Sequence, residues 1–443
     1  MKRMYQSLRY LVLLTVLLGG VLVLTACRED TPNPSEGSES SSRQTEQTTD
    51  LPSSVPNAEQ DKKDDPKTPE TPEIPETPEI PEPPDDSEAE PTEALKKQSG
   101  FDGGTPSMGA ANEQWWREYR TYALAQHLDK FHMQGRTQSL STGMTADWAA
   151  SGFEFCADYQ NSIYVVATAN KSCQFAVLLN GTAVGTLSLR AGENLQYRLP
   201  ITTSGEGQVI RLVRMTRPKD AQVSFARVLV DGEVQPWTET NRKLIEFVGD
   251  SITCGCGLVD PTLADYDASK TYAYRLATSM GCDYSMVSEG GIGVSASNSW
   301  HGGNTIGTLY GCTGFYRDPA VTYTPTKTAD LVVVNLNTND NGNDPTESDY
   351  KADAKALIRQ IRGMHGTDVP IVWVVGHMIN STASVNIWLT EVFEELEGEE
   401  AGLYLLTVTK NQAGGASHPS QSSHDEVAQE LKEFIESKNL LDS

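Results

Sequence analysis

One serine stands where chemistry is easiest to arrange. Residues 243–257 read Lys-Leu-Ile-Glu-Phe-Val-Gly-Asp-Ser-Ile-Thr-Cys-Gly-Cys-Gly. The apolar run from Leu244 to Val248 has the length of a buried strand, and Gly249-Asp250-Ser251 closes it in a tight turn. The first residues past such a strand lie at the carboxyl edge of a sheet, where open α/β folds hold their sites. Ser251 is therefore a candidate nucleophile. The competing reading is a turn serine that caps the next helix.

A serine hydroxyl attacks an ester only if a base takes its proton and N–H donors hold the developing oxyanion. Seven histidines compete for the role of base. His127 and His132 lie in a lead-in segment, and His301 lies in a Gly-rich loop. His365 closes a helical stretch, where a cation is routine. His377 ends a strand and is the rival. His418, within Gly414-Gly415-Ala416-Ser417-His418-Pro419-Ser420, sits in the loop that opens the last helix, and its position favours it. The bland alternative is a plain loop histidine. His424 reads as a capping or surface residue of that helix.

Two further strand ends offer donors. Ser288-Glu289-Gly290-Gly291-Ile292-Gly293 follows the second strand, and glycines there admit backbone N–H groups to a ligand. Asn335-Leu336-Asn337-Thr338-Asn339-Asp340 follows the third, and an asparagine amide donates without adding charge. Each has a bland reading as a turn. Their weight comes from falling at successive strand ends, where one crevice gathers them.

The elements that must position these residues are legible as a change of period. Residues 136–240 give short alternating runs, such as 153–156, 163–167, 175–179 and 209–213, broken by turn signals. Asn180-Gly181 and Asp231-Gly232 read as hairpin turns. This pattern predicts a β-sandwich. The segment before it, through Trp115-Trp116 to Leu128, is weakly helical. From Lys243, strands at 244–248, 284–288, 331–336, 371–376 and 403–408 alternate with helices near 269–280, 350–364, 383–397 and 423–437. Such alternation builds a mostly parallel sheet with helices on both faces.

The N-terminal quarter is of another kind. Lys2, Arg3 and Arg9 precede an apolar run from Leu11 to Leu24, which predicts an export signal over 1–26. Residues 28–100 contain no aromatic residue, repeat Thr-Pro-Glu-Ile-Pro-Glu at 71–76 and 77–82, and carry 20 acids against 7 bases. Such a stretch cannot bury enough apolar surface to fold. We expect residues 27–105 to be a disordered Pro/Ser/Thr/Glu-rich stalk. The net charge of −25 argues against a nucleic-acid partner, which needs clustered Lys and Arg. Of the seven cysteines, Cys156 and Cys173 fall on neighbouring expected strands and are the one pair named for a disulfide. Cys254-Gly255-Cys256 lacks a second close ligand pair, so no metal site is expected.

Leu24-Thr25-Ala26-Cys27 resembles the lipobox of bacterial lipoproteins. That resemblance implies lipidation of Cys27, a membrane anchor, and an outward-facing chain. Gly249-Asp250-Ser251-Ile252-Thr253, the glycines at 290–293, Thr338-Asn339-Asp340 and His418-Pro419-Ser420 resemble, in order, the blocks of the SGNH or GDSL hydrolases. The extension to Cys254-Gly255-Cys256-Gly257 is similar to carbohydrate esterase family 2. So are a β-sandwich running directly into the serine strand, and His424, Ala428 and Leu431 after the histidine block. The likeness spans roughly residues 125–438.

The resemblance implies a three-layer α/β/α parallel-sheet domain over 241–443, preceded by a jelly-roll-like β-sandwich over 106–240. It makes Ser251 the acylated nucleophile and His418 the base and then the acid. The oxyanion hole falls to Ser251 N–H, Gly291 N–H and the Asn339 side chain, with Asp250 bracing the loop and no cofactor. The implied substrate is an acetylated polysaccharide of the xylan or glucomannan type, and we expect a monomer.

Two departures stand out. Asn337 occupies a position where that family has glycine. Gly415 and Ala416 stand where an aspartate often precedes the histidine, which predicts a Ser–His dyad oriented by a backbone carbonyl. Two other readings stay open: a carbohydrate-binding surface lipoprotein with weak or lost activity, and a deacetylase of cell-wall or host glycans. Trp300, in Asn298-Ser299-Trp300-His301-Gly302, is either a platform for a sugar ring or a packed loop aromatic.

Overall fold

Alternation of apolar and polar residues along 120–235 gives twelve strands, because each strand buries one face against a facing sheet. These strands are seen in a computed structural model, which describes residues 119–238, 241–260, 265–315, 321–396 and 401–442. The export signal, Cys27, the stalk and Trp115-Trp116 lie outside the described residues.

The strands are β1 (Arg120–Ala123), β2 (Phe131–Gln134), β3 (Ser139–Leu140), β4 (Gly143–Thr145), β5 (Gly152–Tyr159) and β6 (Ile163–Ala169). They continue with β7 (Cys173–Leu179), β8 (Thr182–Leu189), β9 (Gly192–Arg198), β10 (Gly205–Arg214), β11 (Val223–Val230) and β12 (Glu233–Gln235). One sheet runs β3-β4-β11-β6-β9 with β1 also on β11; the other runs β12-β5-β10-β7-β8 with β2 also on β5. Phe153, Phe155, Phe175 and Phe225 fill the space between them, with Phe225 centred 5.1 Å from Phe153 and 5.0 Å from Phe175.

Three expectations are corrected. Residues 120–123 are a strand rather than part of a helix, since they pair with Arg227–Val230 and Tyr122 is buried in the sandwich core. Tertiary pairing overrides a weak local preference there. Asn180-Gly181 does join β7 to β8, but Asp231-Gly232 joins β11 to a strand of the opposite sheet. The glycine is needed for close approach, because a Cβ at Gly232 would lie 1.9 Å from Asp158 O. Cys156 and Cys173 are both free. Strand β10 lies between β5 and β7, so the two strands are about 10 Å apart across the sheet. Cys156 stands opposite Val209, while Cys173 lies past Phe175, the partner of Arg214, which adds a further offset along the strands and puts the two cysteines beyond disulfide reach.

Buried apolar runs then build the second domain. It consists of β13 (Leu244–Gly249), α1 (Ser251–Cys254), α2 (Tyr272–Ser279), β14 (Asp283–Ser288), α3 (Ile306–Leu309) and β15 (Leu331–Asn335). There follow α4 (Thr338–Asn343), α5 (Glu347–His365), β16 (Ile371–Val375), α6 (Ser384–Leu396), β17 (Leu403–Thr407) and α7 (Gln421–Lys438). All five strands are parallel, in the order β14-β13-β15-β16-β17. Ile245 and Phe247 face α2 and α7, while Val248 faces α5 and α6. The fold is thus a three-layer α/β/α domain behind an antiparallel sandwich.

The two domains are keyed by buried charge. Arg136, just after β2, is fully buried and pairs with Glu246 in the middle of β13, at 3.0 and 3.2 Å. On β5, Glu154 accepts from Arg211 and Arg242. These contacts hold β13, the strand that ends at the serine, against the sandwich.

Candidate active site

Ser251, the glycines at 290–293, Asn339 and His418 lie at the carboxyl edge of this sheet. The turn after β13 is set by its sequence. A Cβ at Gly249 would lie 2.0 Å from Thr253 Oγ1, so the first position must be glycine. Asp250 is the N-cap of α1, accepting from Ile252 N–H at 2.9 Å. The capping role therefore belongs to Asp250, and Ser251 is left at the first helical position with its hydroxyl uncommitted to the helix.

His418 must return from β17 to β13, three strands or about 14 Å across the sheet. Its loop is anchored on the serine motif itself. Gly415 N–H donates to Gly257 O at 3.1 Å, and a Cβ on Gly257 would lie 2.3 Å from Gly415 O. The last glycine of the Cys254-Gly255-Cys256-Gly257 extension thus admits the histidine loop.

His418 Nε2 lies 2.8 Å from Ser251 Oγ. Its Nδ1 lies 3.0 Å from the main-chain oxygen of Ala416. A carbonyl only accepts, so Nδ1 carries the proton and Nε2 is free to accept from the serine hydroxyl. Ala416 and Ser417 both adopt left-handed backbone, at φ 49° and 59°. Such conformations cost about 1–2 kcal/mol each outside glycine. That strain turns the Ala416 carbonyl toward the ring, where a carboxylate stands in a triad. Burial lowers the pKa of His418 and the two backbone contacts partly raise it.

The glycine block after β14 is clamped from several sides. Gly290 N–H donates to Glu289 Oε1 at 2.9 Å, and Lys219 N–H, from the sandwich, donates to Glu289 Oε2 at 2.7 Å. Gly291 has φ 80°, and a Cβ there would lie 2.4 Å from Trp300 Cζ2. Among the described residues no acceptor meets the N–H of Ser251 or Gly291. Asp340 is fully buried and accepts from Val294, Ser295 and Ala296 N–H at 2.8–2.9 Å, which fixes the far end of this loop.

Asn339 lies between the blocks. Its Nδ2 donates to Ile292 O at 2.8 Å and to Asp250 Oδ2 at 3.2 Å. To serve an oxyanion it would exchange the longer bond. Burial, with Asp340 adding to it, pushes the Asp250 carboxyl up to about 7. Asn337 takes φ 87°, the left-handed turn that glycine would take, and its side chain is held by Asn386 and Tyr350. The turn survives because asparagine tolerates that region.

Other residues fall differently from expectation. His377 is buried, with Nδ1 3.2 Å from Asn335 Nδ2, and burial pulls its pKa down to about 3. His424 is fully buried rather than at the surface, and accepts from Tyr272 N–H at 3.0 Å. Trp300 is 41% exposed, but Lys219 Nζ stands 3.5 Å over its ring and the His301 ring lies 3.8 Å away. His132, Glu154 and Asp283 come close enough to share an ion. Protein cations already meet these carboxylates: Arg211 at 2.6 Å and Arg242 on Glu154, and Lys327 at 3.3 Å on Asp283. Glu289, Asp340 and His301 were not picked out from the sequence. Glu289 and Asp340 belong to the noted blocks, but only the folded contacts reveal what they hold.

Residues 247–439 match the GDSL-like Lipase/Acylhydrolase family. No curated protein sequence matches the chain. Among solved structures, a family two carbohydrate esterase from Clostridium thermocellum in complex with cellohexaose is similar, with 22% identity and a TM-score of 0.63 over 70% of this chain and 98% of that one. An acetyl xylan esterase from Butyrivibrio proteoclasticus is 20% identical, with a TM-score of 0.62 over 72% and 98%. A family two carbohydrate esterase from Cellvibrio japonicus is 17% identical, with a TM-score of 0.64 over 73% and 98%. Residues 247–439 therefore form a GDSL-like lipase/acylhydrolase domain, a carboxylic ester hydrolase domain, joined to a β-sandwich in the two-domain fold of the family two carbohydrate esterases.

Proposed function

We propose that the protein is a surface-anchored serine esterase that removes O-acetyl groups from polysaccharide of the xylan or glucomannan type. The observation that carries this reading is the 2.8 Å contact between Ser251 Oγ and His418 Nε2, with Nδ1 held on Ala416 O. Ser251 Oγ attacks the acetyl carbonyl carbon as its proton passes to His418 Nε2. The N–H groups of Ser251 and Gly291, with the Asn339 amide, receive the oxyanion. The carbon–oxygen bond to the sugar breaks, and the sugar oxygen takes the proton from His418. Water, deprotonated by His418, then cleaves the acetyl-serine and releases acetate. This chemistry needs no cofactor.

A glycan substrate is supported by the neighbouring surface. Asn341, Asn380, Thr382, Lys410 and Gln412, with Met378, line an open cavity of about 370 Å³ beside the strand ends. Amides and hydroxyls of this kind suit sugar hydroxyls. Lipidation at Cys27, with the acidic stalk as spacer, is the anchor in this reading and places the enzyme outside the cell as a monomer. The test is acetate release from acetylated xylan and glucomannan by the purified chain. Ser251→Ala should reduce it at least 1000-fold; unchanged release would exclude the serine.

A second reading is carbohydrate binding with weak activity. It draws on the commitment of Asn339 Nδ2 to Ile292 O and Asp250. Retention on acetylated glucomannan in an affinity gel, without acetate release, would favour it.

A further inference from the structure

Gly290 and Gly291 are tied at three of their four backbone polar atoms, all but the Gly291 N–H. Gly290 N–H is spent on Glu289 Oε1, and Gly291 O accepts from Asn298 N–H at 2.9 Å. Gly290 O lies 3.0 Å from His301 Nε2. Since the carbonyl only accepts, His301 carries its proton on Nε2. His301 is buried, and its ring is packed between Trp300 and Phe315. Burial, with Lys219 and Arg217 nearby, lowers the pKa of that ring, partly opposed by its contact with the Gly290 carbonyl. In a trans peptide the carbonyl of one residue and the N–H of the next point opposite ways. Fixing Gly290 O on one side therefore aims Gly291 N–H at the other. A carbonyl that accepts a hydrogen bond also makes its own peptide N–H a stronger donor.

We propose that His301 is a positioning residue of the oxyanion hole, whose Nε2–H fixes and polarises the Gly290–Gly291 peptide so that Gly291 N–H meets the acyl oxygen. The inference rests on the esterase reading above. It gives a buried histidine, outside the Ser251–His418 pair, a part in the rate without contact to substrate. Trp300 packs on Gly291 from the side, its ring edge close enough that a Cβ there would lie 2.4 Å from Cζ2.

The test compares His301→Leu, which loses the N–H, with His301→Gln, whose amide reaches to nearly the same place. Both are made in the full chain and assayed on 4-nitrophenyl acetate. Losing a whole oxyanion donor costs about 100- to 1000-fold. Weakening one should cost about tenfold in kcat, with KM within twofold and the acid limb of the pH profile unmoved. His301→Gln should restore most of that rate. A His301→Leu enzyme with unchanged kcat, a loss confined to KM, or a glutamine variant as slow as the leucine one would overturn the proposal. If His301→Leu does not fold, His301→Asn, too short to reach Gly290 O, takes its place.

A second readout stands apart from activity. In Ser251→Ala protein, the Gly291 amide resonance should move upfield in its proton dimension when His301 is replaced by leucine. If the wild-type chain hydrolyses no acetyl ester, the esterase reading fails, and this shift alone decides the peptide coupling: its absence would sink it.

Discussion

Arg136 of the sandwich and Glu246 of the parallel sheet form a buried ion pair through three guanidinium contacts, at 3.0 to 3.2 Å. The Glu246 carboxylate also accepts from Ser285 Oγ at 3.0 Å, Tyr310 Oη at 2.6 Å and His365 Nε2 at 3.0 Å. The Arg136 guanidinium lies over the rings of Tyr310 and Tyr323, 4.6 Å from each centroid. Glu246 lies on β13, five residues before Ser251, which opens α1 just past the strand's end. The sandwich thus supplies the counter-ion that lets a carboxylate sit in the core beneath the nucleophile.

This relationship predicts a dependence of the hydrolase domain on the sandwich. Removing one partner of a buried pair leaves the other uncompensated and costs about 3–5 kcal/mol. Arg136→Met should therefore destabilise the chain by that amount in urea unfolding. Arg136→Met combined with Glu246→Leu should recover most of the loss, since both charges are then gone. A double variant no more stable than the single one would refute the ion pair as the cause.

His418 gives a prediction in pH. As a base it must be neutral, and burial lowers its pKa from 6.5 while the carbonyl of Ala416 only partly opposes this. Among the described residues it is the Ala416 carbonyl, and no carboxylate, that meets Nδ1 of the ring. The acid limb of kcat/KM on a small acetyl ester should accordingly have its midpoint below 6.5. A midpoint at or above 7 would mean that a carboxylate reaches the ring in solution.

How much of this was legible beforehand differs by element. The apolar runs at 244–248 and 371–376 announce β13 and β16 because a parallel strand is buried on both faces and needs no alternation. Ser251 and His418 could be picked out because strand ends are where α/β folds gather side chains, whereas it is the resemblance to the SGNH hydrolases that singles out Gly291 and Asn339 within their blocks. Sequence order hides the rest. Cys156 and Cys173 seem adjacent until β10, thirty residues later, enters between their strands. Asp231-Gly232 reads as a hairpin because a turn pair does not say which sheet comes next. His424 looks like a helix-surface residue, yet α7 turns that face onto Tyr272. His301 and Glu289 act only through contacts made in the fold, so no local pattern marks them.

Glu289 yields the last prediction. Its carboxyl is buried, and burial outweighs the N–H of Lys219 and the charge of Arg217, pushing it from 4.5 up to about 7. An acid whose pKa is raised on folding is protonated in the folded chain before it is in the unfolded one. Its contribution to stability is fully present below pH 4.5 and is lost as pH rises through 7. The difference of 2.5 pH units corresponds to about 3 kcal/mol. Asp250 and Asp340 shift the same way, so total stability alone cannot single out Glu289. Comparison with Glu289→Gln can, because the other groups cancel. The stability of the wild type minus that of the variant should fall by about 3 kcal/mol between pH 4.5 and pH 7.5, measured by urea unfolding. A difference that stays constant across that range would show that Glu289 is ionised throughout, held by the Lys219 and Gly290 N–H groups it receives.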